Sequence, residues 1–361
     1  MSARDLHAEP FDEGTKVKLS LFSDYLTEWL PVFLARANPI WNTINIVDFF
    51  AGPGTDVAGE PGSPLIILES LMAYDAVIRE KNLNVNVCLN ELHTGKFQNL
   101  ESNVERARKD CSSVNVQLTN SAFEEAFSAI YPRLNGCANL LFFDQSGIKF
   151  FTKNVLQSVA SLSATDFLVF VSSSTINRFS DHESIRRYIG IDQKQIDSEP
   201  YSKIHRLVLD YFRQQIPADK EYYLFPFSIK KGRNIYGLIF GSGHILGAKK
   251  FLDACWRSDP ERGEANFDID GDNLTPDNPY LFEQMNKPAK LQSFNDELTK
   301  GILSLHIKSD WDACFFALSR GFRLVHSGDV VKSLEKKGVI KPGRYRFSLD
   351  AKKEPRTMEL A

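Results

Sequence analysis

Three acidic residues stand at the ends of apolar runs, and two glycines follow the first of them. Ile44-Asn45-Ile46-Val47 leads into Asp48, and Phe49-Phe50-Ala51-Gly52-Pro53-Gly54-Thr55 comes next. Val85 to Asn90 closes on Glu91, and the run Ala138 to Phe143 closes on Asp144. Runs of this kind suit strands buried on both faces. Each acid then falls at a strand's carboxyl end, the edge at which open α/β sheets hold ligands. Glycine at 52 and 54 lets the backbone pass close to a ligand, where a Cβ would collide. Glu91 can accept both hydroxyls of a ribose, or it is a solvated acid at a strand end. Asp144 follows Leu140-Leu141-Phe142-Phe143, where an aspartate is costly unless it is used or bonded.

Bringing these ends to one edge requires a parallel sheet, and the order of patterns supplies it. Strands are predicted at about 44–47, 85–90, 114–118, 138–144 and 166–172. Helices are predicted at 15–34, 63–80, 94–109, 121–133 and 152–162. Lys16 and Lys18 lie near the start of the first helix, where the helix dipole disfavours cations, so they are solvated or they face an anion. Residues 181–215 read as a helical insertion containing Arg186, Arg187, His205 and Arg206. Tyr222 to Lys230 and Ile235 to Ser242 flank the turn Lys231-Gly232-Arg233-Asn234, and strands joined so tightly must be antiparallel. Five parallel units closed by a hairpin is the chain order of the class I methyltransferase sheet; a dehydrogenase-type sheet continues as β-α-β. The expected fold is therefore α/β, Rossmann-like, with a terminal β-hairpin.

The 361 residues are 43% hydrophobic and 25% charged, an ordinary globular composition with room for one large domain and a small one. A net charge of -3 gives no overall signal for nucleic acid or a membrane. Cys88, Cys111, Cys137, Cys255 and Cys314 are scattered and odd in number, which argues for reduced thiols and against a disulfide frame or a zinc site. No run approaches the roughly 18 apolar residues of a membrane helix. Met1 to Glu13 is polar and acidic, unlike a signal peptide. A cytoplasmic protein is expected.

Three segments are predicted: an α/β domain over 1–256, a linker rich in Asp, Pro, Asn and Gly over 257–285, and a small domain over 286–361. The last has helices near 290–305, 311–319 and 327–338, then Val339-Ile340, a Lys341-Pro342-Gly343 turn and Tyr345 to Leu349, a pattern similar to a winged helix. It carries fifteen Lys and Arg against nine Asp and Glu, a net of +6. That excess fits a nucleic-acid-reading appendage, with Lys332, Lys336 and Lys337 as backbone contacts. Winged helices also serve as protein-docking modules.

Asp-x-Phe-x-Gly-x-Gly at 48–54 resembles the first motif of S-adenosylmethionine (SAM) methyltransferases, notably those acting on amino groups and cytosine of nucleic acids. The resemblance implies that Asp48, Ala51, Gly52 and Gly54 pass the methionine part of SAM, with Asp48 balancing its ammonium. It implies Glu91 on the ribose, and Asn120 and Ser121 at the adenine edge. At the end of the fourth strand, Asp144-Gln145-Ser146-Gly147 stands where amino methyltransferases hold the acceptor amine, with the acid kept and the proline absent. Proline stiffens φ, and glutamine does not. Ser172-Ser173-Ser174-Thr175 is a polar cleft lining or a plain Ser-rich turn.

A wider set of landmarks is similar to the three-Cys-motif partner (TcmP) family. The set comprises Lys18, Tyr25-Leu26 and Trp29; Asp48 to Gly54; Gly62-Ser63-Pro64; Phe142-Phe143-Asp144 and Gly147; Ser172 to Phe179; and Tyr236 to His244 before Trp256. It spans roughly residues 15 to 350. The family implies SAM as cofactor and a partner protein with three cysteines, often similar to radical-SAM proteins. Leu19 stands where the family often has histidine, and Gln145-Ser146 where it has Pro-Phe. Two readings follow: a SAM-dependent methyltransferase working with a partner, on nucleic acid, or a catalytically weakened subunit that binds SAM or a nucleotide as an interaction module, in defence or mobile-element biology. The missing third glycine and the terminal hairpin argue against an NAD-dependent oxidoreductase.

Overall fold

Apolar strands and amphipathic helices alternate through the first two-thirds of the chain, and the computed structural model shows what they build. It describes residues 9–108, 112–144, 149–178, 190–191, 193–272 and 288–361. Gln145 and Ser146, part of the 181–215 insertion and residues 273–285 of the expected linker lie outside the described residues.

The first unit, Met1–Gly247, opens with helix α1 (Glu13–Leu34). It starts two residues before the predicted 15, because Asp12 caps it by accepting the Thr15 N–H at 2.9 Å. Then come β1 (Thr43–Asp48), α2 (Ser63–Met72), α3 (Asp75–Glu80), β2 (Asn84–Asn90), α4 (Thr94–Ala107), β3 (Val114–Thr119), α5 (Phe123–Ile130), β4 (Ala138–Phe143), α6 (Lys153–Ser161), β5 (Thr165–Ser172) and α7 (Ser173–Arg178). The inserted helices α8 (Gln193–Ser198) and α9 (Ile204–Gln215) lead into the hairpin β6 (Tyr223–Lys231) and β7 (Asn234–Ser242). Among the described residues seven strands form one sheet in the order β3-β2-β1-β4-β5-β7-β6. β1 to β5 pair in parallel, and β7 runs antiparallel to both its neighbours.

One expected helix is divided. The predicted 63–80 breaks at Ala73-Tyr74, because Asp75 turns to accept both the N–H (3.0 Å) and the hydroxyl (2.5 Å) of Ser113.

The sheet is covered on both faces. α1 lies on one, with Phe22 stacked on Phe142 at 4.6 Å and Tyr25 edge-on to Phe240 at 5.0 Å. The other face buries Val47, Phe49, Phe143 and Phe167 with Phe123, Phe151, Val208 and Phe212, so the inserted helices belong to the main core. Among the described residues no helix is long and apolar enough to cross a membrane.

The second unit, Ala248–Ala361, takes in most of α10 (Ile245–Ser258) and three further helices, α11 (Ala289–Leu303), α12 (Asp310–Ser319) and α13 (Leu324–Lys336). Its core holds Trp256, Phe294, Leu298, Ala313, Phe322, Val331, Ile340 and Met358. The start of the expected linker is ordered here. Arg262, 4% exposed, pairs with Asp268 at 2.9 Å and Asp272 at 3.3 Å, and Lys290 pairs with Glu264 at 2.9 Å.

The three helices of the winged-helix expectation are present, but its short strand pair is not formed among the described residues. Ile340 bridges to Leu360, and Ser309 to Thr357. The buried carboxylate of Asp310 takes the N–H groups of Arg346 and Arg356, both at 2.8 Å, so residue 346 has no donor left for a ladder with 339–340.

Gly241 faces Phe167 across the β5–β7 pairing, and a Cβ there would lie 2.2 Å from the ring. Gly241→Ala is therefore expected to destabilise the first unit by about 1–3 kcal/mol through overpacking. Urea unfolding should show a lower midpoint with an unchanged slope.

Candidate functional site

Asp48 ends β1 with no exposed surface. Its carboxylate accepts the Ser63 hydroxyl at 2.6 Å and the Phe50 N–H at 3.0 Å. Burial pushes its pKa up to about 7 from the ordinary 3.8; the two hydrogen bonds and Lys18 pull it back, while Asp144 pushes it further up. Ser63 is the first residue of α2, so the start of that helix is fastened to the end of β1.

The glycine loop follows. Gly52 and Gly54 hold φ of 63° and 90°, in the left-handed region that glycine enters freely. The loop is fastened from three sides: the Ala51 N–H donates to Asn90 O at 2.9 Å, the Gly62 N–H to Gly54 O at 2.8 Å, and the Asn103 side chain to Pro53 O at 2.7 Å. A Cβ on Gly54 would meet Asn103 at 3.3 Å and Leu100 at 3.5 Å. Glycine at 54 is therefore required by its backbone angle and by packing on α4, not by open space for a ligand.

Glu91 reaches back to this loop. One carboxylate oxygen accepts the Gly52 N–H at 3.0 Å and the other the His93 N–H at 2.7 Å. Each oxygen keeps acceptor capacity, but the acid first serves to join the loop to the start of α4. Asn120 spends its amide hydrogens on Glu91 O at 2.6 Å and Leu92 O at 2.9 Å. The Ser121 hydroxyl donates to Asn90 Oδ1 at 3.2 Å. Asn90, buried, also accepts from Thr119 and donates to Phe49 O, so it is the node of the β2 end.

Asp144 follows β4 and accepts a hydrogen bond from the Lys18 ammonium of α1, an ion pair spanning 126 residues of chain. The Lys18 side chain is 9% exposed and that of Asp144 24%, so the carboxylate is the member nearer solvent. The ammonium lies 4.7 Å from the ring centre of Phe170, which stacks on Tyr236 at 5.0 Å. Of the two alternatives for Lys18, facing an anion is the one realised. Phe50, Phe123 and Phe150 group near the same edge, with ring centres 5.4–5.5 Å apart.

The Ser-rich stretch serves in part as a turn. Ser172 Oγ accepts the Thr175 N–H at 3.2 Å and starts α7. Buried His205 lies between the hydroxyls of Ser173 (3.0 Å) and Ser228 (2.7 Å), which ties α7 to β6. Lys332, Lys336 and Lys337 are exposed on and just after α13 in the second unit.

Asp48, Ala51, Gly52, Gly54, Glu91 and Asp144 thus share the carboxyl edge, with Asn120 and Ser121 beside them. Ser63, Asn90 and Asn103 were missed as supports, and Lys18 as a site residue. A lysine placed against the helix dipole four residues before Phe22 was the available signal for Lys18.

The raised pKa of Asp48 has a definite sign for stability. Between about pH 4 and 7 the folded chain holds a proton that the unfolded chain has lost, so the contribution of this group to stability falls as pH rises through that window. Asp48→Asn lacks this fall. Its stability relative to the wild type should grow from pH 4 to 7 and level off above, as read by urea unfolding at a series of pH values.

No protein-family model matches the sequence, and no curated protein matches it. Similar solved structures include Trm1 from Pyrococcus horikoshii in complex with S-adenosyl-L-methionine, 11% identical, covering 98% of this chain and 92% of that one with a TM-score of 0.37. The N-terminal domain of human METTL16 in complex with SAH is 11% identical, covering 63% of this chain and 70% of that one with a TM-score of 0.33. Likeness at this level carries nothing about ligand or reaction. The strand order is the chain's own: the first unit is a class I methyltransferase-like α/β sheet closed by an antiparallel hairpin.

Proposed function

We propose that this chain is a SAM-dependent methyltransferase that works with a partner protein, on nucleic acid. The observation that carries the reading is Asp48, a fully buried carboxyl at the ligand edge with no cation bonded to it among the described residues. A ligand ammonium would relieve the desolvation that raises its pKa, and the motif around it resembles the methionine-binding loop of SAM enzymes. When bound, SAM supplies the methyl group, carried on a sulfonium. Asp48 supplies the counter-charge. Glu91 keeps acceptor capacity for hydroxyls beside its two backbone donors. Asp144 orients the acceptor by taking a hydrogen bond from it, an effect that can be worth several kcal/mol of barrier. On this reading Gln145 or Ser146, both outside the described residues, supplies a second polar contact.

The resemblance to the TcmP family supports a three-Cys-motif protein as partner, and the odd, scattered cysteines support a cytoplasmic setting. The basic excess of residues 286–361 supports contact with nucleic acid through Lys332, Lys336 and Lys337. One observation favours the second reading, a weakened SAM-binding subunit: Lys18 already occupies one oxygen of Asp144, and glutamine follows where proline is expected.

Calorimetry of the purified chain should show binding of SAM and of its demethylated product, and none of NAD. Binding of NAD alone would overturn the cofactor assignment. With labelled SAM, partner and total nucleic acid, Asp144→Ala should lose transfer while still binding the demethylated product. Transfer at the wild-type rate would remove Asp144 from the mechanism. Absence of transfer to any acceptor class, with the partner present, would leave the weakened-subunit reading.

Replacing Lys332, Lys336 and Lys337 together by alanine should lower the slope of log affinity against log salt by about 2 to 3. If the intact chain has no affinity for nucleic acid even at low salt, the second unit is a protein-docking module.

A further inference from the structure

We propose that Lys18 is the charge-selecting residue of the ligand site: with Asp48 and Asp144 it forms a three-charge cluster of net -1 that sets the preference between a cationic ligand and its neutral counterpart. The inference rests on the cofactor reading above and assigns a role to a residue of α1, outside the strand-end loops.

The geometry comes from the sheet. Asp48 lies opposite Phe142 in the β1–β4 pairing, so Asp144 is two positions further along the neighbouring strand. Val47 and Phe143 point into the core on the far face, and strand alternation turns Asp48 and Asp144 toward the face covered by α1. Strand spacing and rise place their backbones about 8 Å apart. Lys18 is 7% exposed, bonded to Asp144 and set against the Phe170 ring. Asp48 feels both of the others, with opposite signs. Asp48 and Lys18 are buried and Asp144 is partly so, and charges held there are screened less than at the surface, so each contributes to the field that a ligand meets.

SAM carries two positive charges and one negative charge, a net of +1, and loses the sulfonium charge on giving up its methyl group. The demethylated product is neutral overall. Both would occupy the same contacts, so the ratio of their affinities isolates the charge of the site. Lys18 holds that charge at -1 and prevents the two acids together from trapping the charged form.

The test is calorimetry at pH 8 and low salt, with SAM and the demethylated product titrated into the wild type, Lys18→Met, Asp144→Asn and the double variant. Lys18→Met should raise the preference for SAM over the product, and Asp144→Asn should lower it. Each shift should be at least about twofold, the effect of a unit charge roughly 8 Å away even at the dielectric of water. The double variant should return to near the wild-type ratio. A packing role alone would shift both ligands together and leave the ratio unmoved. An unchanged ratio in the single variants, or shifts in the same direction, overturns the inference. If Lys18→Met does not fold, Asp144→Asn against the double variant makes the same comparison, because removing both members of a buried pair is better tolerated than removing one. Wild-type protein that binds neither ligand would instead overturn the cofactor reading, and the charge-selection role with it.

Discussion

An ammonium taken out of water needs an anion, and for Lys18 that anion is Asp144. This pairing fixes how α1 lies on the sheet. Lys18, Phe22, Tyr25 and Trp29 recur at helical spacing and form one buried stripe. Lys18 meets Asp144 past the end of β4, Phe22 stacks on Phe142 within that strand, and Tyr25 donates to Asp166 at the start of β5 at 2.6 Å. The stripe therefore runs from the carboxyl edge of the sheet to its amino edge. A shift of one residue along α1 would leave Lys18 buried without its anion and would take the Tyr25 hydroxyl away from Asp166. The helix before the first strand is thus a wall of the site.

The glycine loop depends on a second set of constraints, made of hydrogen bonds to its backbone. Asn90, Glu91 and Asn103 come from β2, the turn after it and α4, and they hold Ala51, Gly52 and Pro53 by backbone groups. A loop held in this way loses little freedom when a ligand arrives, which is how preorganisation raises affinity. The same bonds explain why Glu91 and Asn120 cannot be assigned to ligand atoms alone: each has a structural task that must continue in the bound state.

Much of this was legible in the chain. β1, β4 and β5 read as strands because both faces are buried and the runs are continuously apolar. The hairpin read from Gly232 between two long apolar stretches, and the acids at 48, 91 and 144 fell at one edge because parallel strands put them there. The pairs that join distant positions were not legible. Nothing in local pattern links Lys18 to Asp144, or Ser63 to Asp48. The break at Tyr74 depends on Ser113, which belongs to a later loop. The expected strand pair after Gly338 failed for a similar reason: Asp310, in an earlier helix, takes the N–H of Arg346 that a ladder would need. Periodicity reports the face that a residue presents, not the partner it finds there.

Three buried or partly buried aspartates show why Asp48 differs from a structural acid. Asp75 accepts the hydroxyl and N–H of Ser113 and pairs with Arg79, and these hold its carboxyl below the ordinary value. Asp166 is buried, and desolvation raises its pKa although Ser242 and Tyr25 both donate to it. Asp48 resembles Asp166 in chemistry: burial, neutral donors and a raised pKa. Neutral donors therefore do not offset desolvation at Asp48 and Asp166, whereas at Asp75 the two Ser113 donors, with Arg79 beside them, outweigh it. Asp166 lies at the amino end of β5 beneath Tyr25, where a closed network is its whole environment. Asp48 lies at the carboxyl edge beside a loop with left-handed glycines, the place where a sheet of this kind receives a ligand. The same unfavourable burial is a structural cost at one edge and, in the proposed function, a store of binding energy for a cation at the other.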